Sequence, residues 1–122
     1  MARYRLTEAA ETDIVEILEW SERQFGGAAR RRYERLLVAA LLDVAADPTR
    51  TGSLARPELG SHVRSWHLRG SREHARGPDG VVQRPRHFLI YRALDPALIV
   101  IGRVLHDAME LHRHLQALEI WD

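Results

Sequence analysis

The sequence predicts an α+β domain in which a helical hairpin packs on an antiparallel sheet. In the first half of the chain, two segments have apolar residues at helical spacing. Three strand-like runs follow, and a last segment with helical spacing ends the chain. The predicted order is β-α-α-β-β-β-α with a C-terminal helix. A chain of 122 residues, 45% of them hydrophobic, is expected to form a single domain, residues 1–122, with one core.

The first strand and the first helix are distinguished by the spacing of their apolar residues, which changes from every second residue to helical spacing. Residues 3–6 alternate polar and apolar side chains, and Thr7-Glu8 then supplies an N-cap with an acid in the first turn. Gly26-Gly27 ends the helix. The apolar face predicted for this helix consists of Ala10, Ile14, Ile17, Leu18, Ser21 and Phe25.

The second helix follows after a very short connection, so the two helices should run antiparallel. It ends at Asp47, because proline at position 48 disfavours helix in the residue before it. Its apolar face consists of Ala29, Tyr33, Leu36, Leu37, Ala40, Leu41 and Val44.

Residues 48–62 are rich in Pro, Gly, Ser and Thr and are predicted to form a loop. The strand-like runs beyond it are 63–68, 87–94 and 98–105, of which the last is the most apolar and is expected to be interior. Turns are predicted at Gly77–Gly80 and at Asp95-Pro96. The final helix carries Leu111, Leu115 and Leu118 at i, i+4 and i+7.

Composition narrows the class of protein. The absence of cysteine excludes disulfides and thiolate metal sites. No apolar run approaches membrane-spanning length, and the N-terminus lacks the apolar core of a secretion signal, so a cytoplasmic protein without membrane association is expected. The net charge is only +1, yet all 18 basic residues are arginine, whose planar guanidinium binds carboxylates and phosphates bidentately.

Basic residues are concentrated between positions 64 and 87, where only Glu73 and Asp79 oppose them. This surplus is a candidate site for phosphates or for an acidic partner peptide. The alternative is a solvated charged surface that protects an edge strand. The arginines concerned are Arg64, Arg69, Arg72, Arg76, Arg84 and Arg86, interleaved with His67, His74 and His87.

The residues from Arg103 onward form the most distinctive segment. Arg103 lies in an apolar strand, where burial of an unpaired charge is costly, so an internal pair with Glu110 or Asp107 is expected. His106, Glu110 and His114 would share a helical face, but the HExxH zinc pattern is absent and Glu110 suits pairing with Arg113 and His114. No metal site and no cofactor are therefore expected.

Residues 103–115 read R-V-L-H-D-A-M-E-L-H-R-H-L. This phrase resembles the R-V-L-H-x-x-M-[DE]-x-x-R-H-L ending of toxins in the RelE/ParE superfamily of type II toxin–antitoxin modules. Residues 87–92 and the first helix are similar to that superfamily as well. The 70–86 segment is longer than in compact members.

The resemblance, closest to the ParE side, implies a toxin that arrests growth by inhibiting DNA gyrase through binding, in a module of the plasmid-stabilisation type. It implies a cognate ParD-like antitoxin with an acidic segment, and contact with nucleic acid only through the antitoxin complex. Trp121, expected to be partly exposed, is a candidate antitoxin anchor. The other large aromatic residues, Trp20, Phe25, Trp66 and Phe88, are assigned to the core.

Two alternatives stay open. One is a RelE-like, ribosome-dependent mRNA endonuclease, in which Arg103, His106, Arg113 and His114 would stabilise charge and move protons during attack of a ribose 2′-OH. The other is an inactive relative that acts only as a binding partner in an autorepressing complex. The absence of lysine, and of a tyrosine after the last strand, favours gyrase over mRNA.

Overall fold

In the computed structural model, which describes residues 3–108 and Trp121, two helices pack on a five-stranded mixed sheet. The strand order is β1-β5-β4-β3-β2. The predicted C-terminal helix, with Leu111, Leu115 and Leu118, lies outside the described residues. The elements are β1 (Arg3–Leu6), α1 (Glu8–Phe25), α2 (Gly27–Ala46), β2 (Leu54–Ala55), β3 (Val63–His67), β4 (His87–Asp95) and β5 (Leu98–His106).

The prediction of a wholly antiparallel sheet is wrong in one strand pair. β1 runs parallel to β5, with Arg3 opposite Leu98 and Leu6 opposite Ile101, while the other neighbours are antiparallel. The two strands are joined by almost the whole chain rather than by a tight turn, so no local turn fixes their relative direction. β5 is interior, as the sequence predicts.

The helical hairpin forms at the expected positions. The side chain of Thr7 caps α1 by accepting a hydrogen bond from the Ala10 N–H at 3.1 Å. Gly26 separates the helices with φ +92°, a conformation that favours glycine. The helix-facing core is built mainly by α2 and the inward residues of β4 and β5: Leu36, Leu37, Ala40, Leu41, Val44, Leu89, Tyr91, Ile99 and Ile101.

A second apolar cluster covers the opposite face of the sheet. Neighbouring residues of β4 alternate between the two faces, so Leu89 joins the first cluster while Phe88 and Ile90 join the second. Leu59, Val63 and Leu105 complete the buried part of the second cluster, and Trp121 packs against it. Phe88 and Trp66 are buried as predicted.

The segments between the strands are more ordered than the loop prediction suggests. β2 and a short 3-10 helix, Pro57–Leu59, lie within residues 48–62. β3 ends at His67, one residue earlier than predicted, because Leu68 begins a 3-10 turn in which it is fully buried. A second 3-10 turn, Glu73–Ala75, precedes the predicted Gly77–Gly80 turn.

Helix α1 and its N-cap cover part of the edge of β5 beyond the end of β1. The Thr7 N–H donates to Ile101 O at 3.0 Å, and the Thr7 hydroxyl donates to Gly102 O at 2.8 Å. Nearly two turns further along α1, Asp13 accepts a hydrogen bond from the Val104 N–H at 2.9 Å. These contacts fix α1 against the second half of β5. No helix within the described residues is long and apolar enough to cross a membrane.

Candidate functional site

A groove of about 1090 Å³ runs between α1 and the 79–87 segment, with the end of β5 at its base. Apolar and aromatic side chains, among them Ile17, Trp20, Phe25 and Val82, line much of it. The rims differ in charge. Asp13 and Glu16 lie on the α1 side, whereas the opposite side and the start of α2 supply three arginines and one acid, which are Arg32, Arg84, Arg86 and Asp79.

Arg103 contributes a guanidinium to this groove, but the charge is already paired. Its Nε and Nη2 donate to the two carboxylate oxygens of Asp13 at 2.7 and 3.0 Å. This bidentate contact raises the pKa of Arg103. The predicted partners, Glu110 and Asp107, are replaced by a residue 90 positions earlier in the chain; Glu110 itself lies outside the described residues.

Tyr33 and His87 form a half-buried pair beside the groove. The Tyr33 hydroxyl accepts a hydrogen bond from the Arg86 N–H at 3.2 Å and lies 2.6 Å from Nδ1 of His87. The direction of the bond between Tyr33 and His87 depends on which ring nitrogen of His87 carries the proton. Burial raises the pKa of Tyr33 to about 12 and lowers the pKa of His87 to about 4.

The other two histidines nearby each accept a main-chain hydrogen bond through Nδ1. Nδ1 of His106 accepts from the Ala108 N–H at 3.1 Å, and the ring meets that of His87 edge to face at 5.3 Å. Nδ1 of His67 accepts from the Arg69 N–H, so its Nε2–H donates to Asp107 at 3.0 Å. His106 is thus a hydrogen-bonded residue at the end of β5.

Asp107 links Arg86, which lines the groove, to His67. Arg86 donates to its carboxylate through Nε at 3.0 Å and Nη2 at 2.9 Å, in addition to the contact from His67. The hydrogen bond from Arg86, then the one from His67, lowers the pKa of Asp107 to about 2. The carboxylate stays ionised through the physiological range, which keeps Arg86 fixed.

This arrangement suits binding better than acid–base catalysis. Attack by a ribose hydroxyl needs a base with a free lone pair within hydrogen-bonding reach. In the described part of the chain, Nδ1 of His67 and of His106 already accepts a hydrogen bond, and Nδ1 of His87 is hydrogen-bonded to Tyr33. The Arg103 guanidinium is bound to Asp13. Within that same part, no three metal-binding side chains come together. The proposed partners of His106 in a metal set, Glu110 and His114, lie outside it.

A family model describes residues 4–111 as the ParE toxin of the parDE type II toxin–antitoxin system. The chain belongs to the ParE toxin family. No curated protein matches it in sequence. Family membership makes the chain a type II toxin and implies that it has an antitoxin partner.

The six arginines of the predicted patch are spread over the toxin. Arg84 and Arg86 line the groove. Arg64 donates to Ser53 beside β2, Arg72 donates to the Val82 carbonyl, and Arg76 pairs with Glu73. Arg69 is exposed and does not line the groove.

Two of the aromatic residues assigned to the core are exposed in the structure. Trp20 and Phe25 were expected in the core, but 49% and 69% of their surfaces are exposed. They lie edge to face at 5.6 Å in the groove, in the second half of α1. Trp121 packs on the opposite face of the sheet, with the Arg92 guanidinium 5.0 Å from its ring centre.

Sequence reasoning missed several residues of the site. Asp13 and Tyr33 each lie in a helix, where their spacing indicates only a face of that helix. Asp107 was considered only as a partner of Arg103. Two of the predicted catalytic residues, Arg113 and His114, lie outside the described residues. The sequence does show a carboxylate, Asp13, early in α1 and an arginine, Arg103, in a strand. Their pairing can be inferred only once the fold places α1 beside β5.

Proposed function

We propose that this toxin arrests growth by binding and inhibiting DNA gyrase, and that its antitoxin neutralises it by occupying the groove. The observation that carries the proposal is that the candidate catalytic side chains within the described part of the groove already have hydrogen-bond or ion-pair partners. Arg103 is paired with Asp13, and Tyr33 is paired with His87. These side chains therefore stabilise the shape of the groove rather than transfer protons.

The groove supplies what an antitoxin segment needs. Its apolar wall, with Trp20 and Phe25, offers aromatic surface of the kind that dominates binding energy in protein interfaces. Its rim carries Arg84, for which the described residues provide no acidic partner. An antitoxin segment with alternating acids and apolar residues would match both features.

The cluster of Arg84, Arg86, His87 and His106 on one wall favours the endonuclease alternative, because cations and imidazoles are the groups that RNA cleavage uses. The occupied Nδ1 atoms count against it. Under the proposed function this cluster recognises acidic side chains of the partner.

The proposal is tested by inducing the toxin alone in cells and following DNA and transcripts over the same time course. Growth arrest that is accompanied first by double-strand DNA breaks, and that is relieved by the antitoxin, supports gyrase inhibition. Cleaved transcripts that precede any DNA damage would favour the endonuclease. Normal growth at high toxin levels would favour the inactive relative.

A further inference from the structure

Within the described residues, one short stretch of β5 has a hydrogen-bonding edge without a partner. The Asp107 N–H donates to Arg86 O at 2.8 Å, on the side of β4. Main-chain groups alternate between the two sides of a strand, so the groups of His106 and Val104 lie on the side away from β4. The contact from the Val104 N–H to Asp13, on that other side, confirms the alternation.

Three main-chain groups on this edge have no partner among residues 3–108 and Trp121. They are the carbonyl of Val104 and the N–H and carbonyl of His106. β1 would cover them if it continued, but its pairing with β5 ends at Leu6 opposite Ile101. Both residues line the groove, so an incoming chain can reach the edge.

We propose that the antitoxin adds an extended strand to β5 at Val104–His106, in the position that a longer β1 would take. This inference rests on the proposed function, because it specifies how the antitoxin would occupy the groove. A strand would satisfy the Val104 carbonyl and the His106 N–H directly, as in other cases of strand addition to a sheet edge. The middle of a helix could not, because its own main-chain groups are already paired.

The walls of the groove indicate the composition of that strand. Side chains of a strand alternate between its two faces. One face would meet the apolar surface of Ile17 and Trp20, and the other would lie near Arg84. The added strand should therefore alternate aliphatic with acidic residues.

A second copy of the toxin fits the edge poorly. The free groups lie at the base of a groove bounded by α1 on one side and residues 79–87 on the other. In a symmetric dimer each copy would have to insert its own recessed edge into the groove of the other. The antitoxin, as a separate chain with an extended segment, has no such restriction.

The first test measures amide hydrogen exchange in the toxin alone and in the complex purified after co-expression with the antitoxin of the module. The His106 amide should exchange slowly only in the complex, with a reduction on the order of a hundredfold. The Asp107 amide, already bonded to Arg86 O, serves as an internal control. Equal exchange at His106 in both samples would overturn strand addition, and so would slow exchange in the toxin alone that depends on its concentration.

The second test compares His106→Pro with His106→Ala. Both variants lose the imidazole, but only proline removes the N–H, and it breaks no bond to β4. The antitoxin should bind the proline variant about tenfold more weakly than the alanine variant, with similar melting temperatures. Equal affinities would contradict strand addition while leaving antitoxin binding intact. No binding even by the parent toxin would overturn the proposed function itself.

Discussion

Removal of the Asp13 carboxylate should destabilise the toxin more than any other change in the groove. Asp13 is 12% exposed and accepts three hydrogen bonds, two from Arg103 and one from the Val104 N–H. Asp13→Ala leaves both donors without this acceptor. The Arg103 side chain is 28% exposed and can recover part of its hydration, so the loss should fall below that of a fully buried pair.

We expect Asp13→Ala to lower the free energy of unfolding by about 3 kcal/mol, of which the orphaned Val104 N–H accounts for roughly 1 to 2 kcal/mol. For a chain of this size the melting temperature should fall by about 10 °C. Asp13→Asn keeps an oxygen for the Val104 N–H and should lose about half as much. Thermal unfolding followed by circular dichroism measures both.

Glu16→Ala is the matched control, because Glu16 is exposed on the same helix and lines the same groove. It should change stability by less than about 0.5 kcal/mol. Arg103→Ala should be destabilising as well, and a double-mutant cycle with Asp13→Ala should show coupling of about 1 to 3 kcal/mol. A stable, well-folded Arg103→Ala variant that has lost all growth-arrest activity would refute the structural role and assign Arg103 to catalysis.

Three further outcomes are expected. Burial lowers the pKa of His87 to about 4. As the pH falls from 6.5 to 4, this imidazole is therefore protonated in the unfolded state before it is protonated in the folded state, which lowers the free energy of unfolding. Over that window the parent should lose about 2 to 3 kcal/mol more than His87→Gln in urea unfolding, and equal losses would contradict burial of a neutral imidazole. Gly70→Ala should cost about 2 kcal/mol, because a Cβ there would lie 2.3 Å from an atom of the Trp66 ring, whereas Gly27→Ala, in open helix, should not destabilise. Arg84→Glu should slow antitoxin association about tenfold at low salt, while Arg69→Glu, outside the groove, should leave it unchanged; equal effects would show a general charge effect.

Much of the fold follows from periodicity. The apolar positions of α2 repeat at helical spacing and are buried in the structure, and the most apolar run is the interior strand β5. Gly26 marks the break between the helices because its positive φ favours glycine. These signals are local, so one sequence displays them.

The features that escaped prediction depend on residues that are distant in sequence. The pairing of Arg103 with Asp13 spans 90 residues, and the parallel pairing of β1 with β5 joins the two ends of the described chain. Neither leaves a trace in spacing or composition. The exposure of Phe25 has the same cause, since periodicity gives a face of α1 but not where the sheet beneath it ends.

The most direct measurement of the central claim is a reaction of purified toxin with purified DNA gyrase and supercoiled plasmid. The account predicts that the toxin inhibits gyrase or traps cleaved DNA, that His106→Ala retains this activity in proportion to its folded fraction, and that the antitoxin reverses the effect. Untouched gyrase activity, together with cleavage of mRNA in a translation reaction by the same preparation, would contradict it.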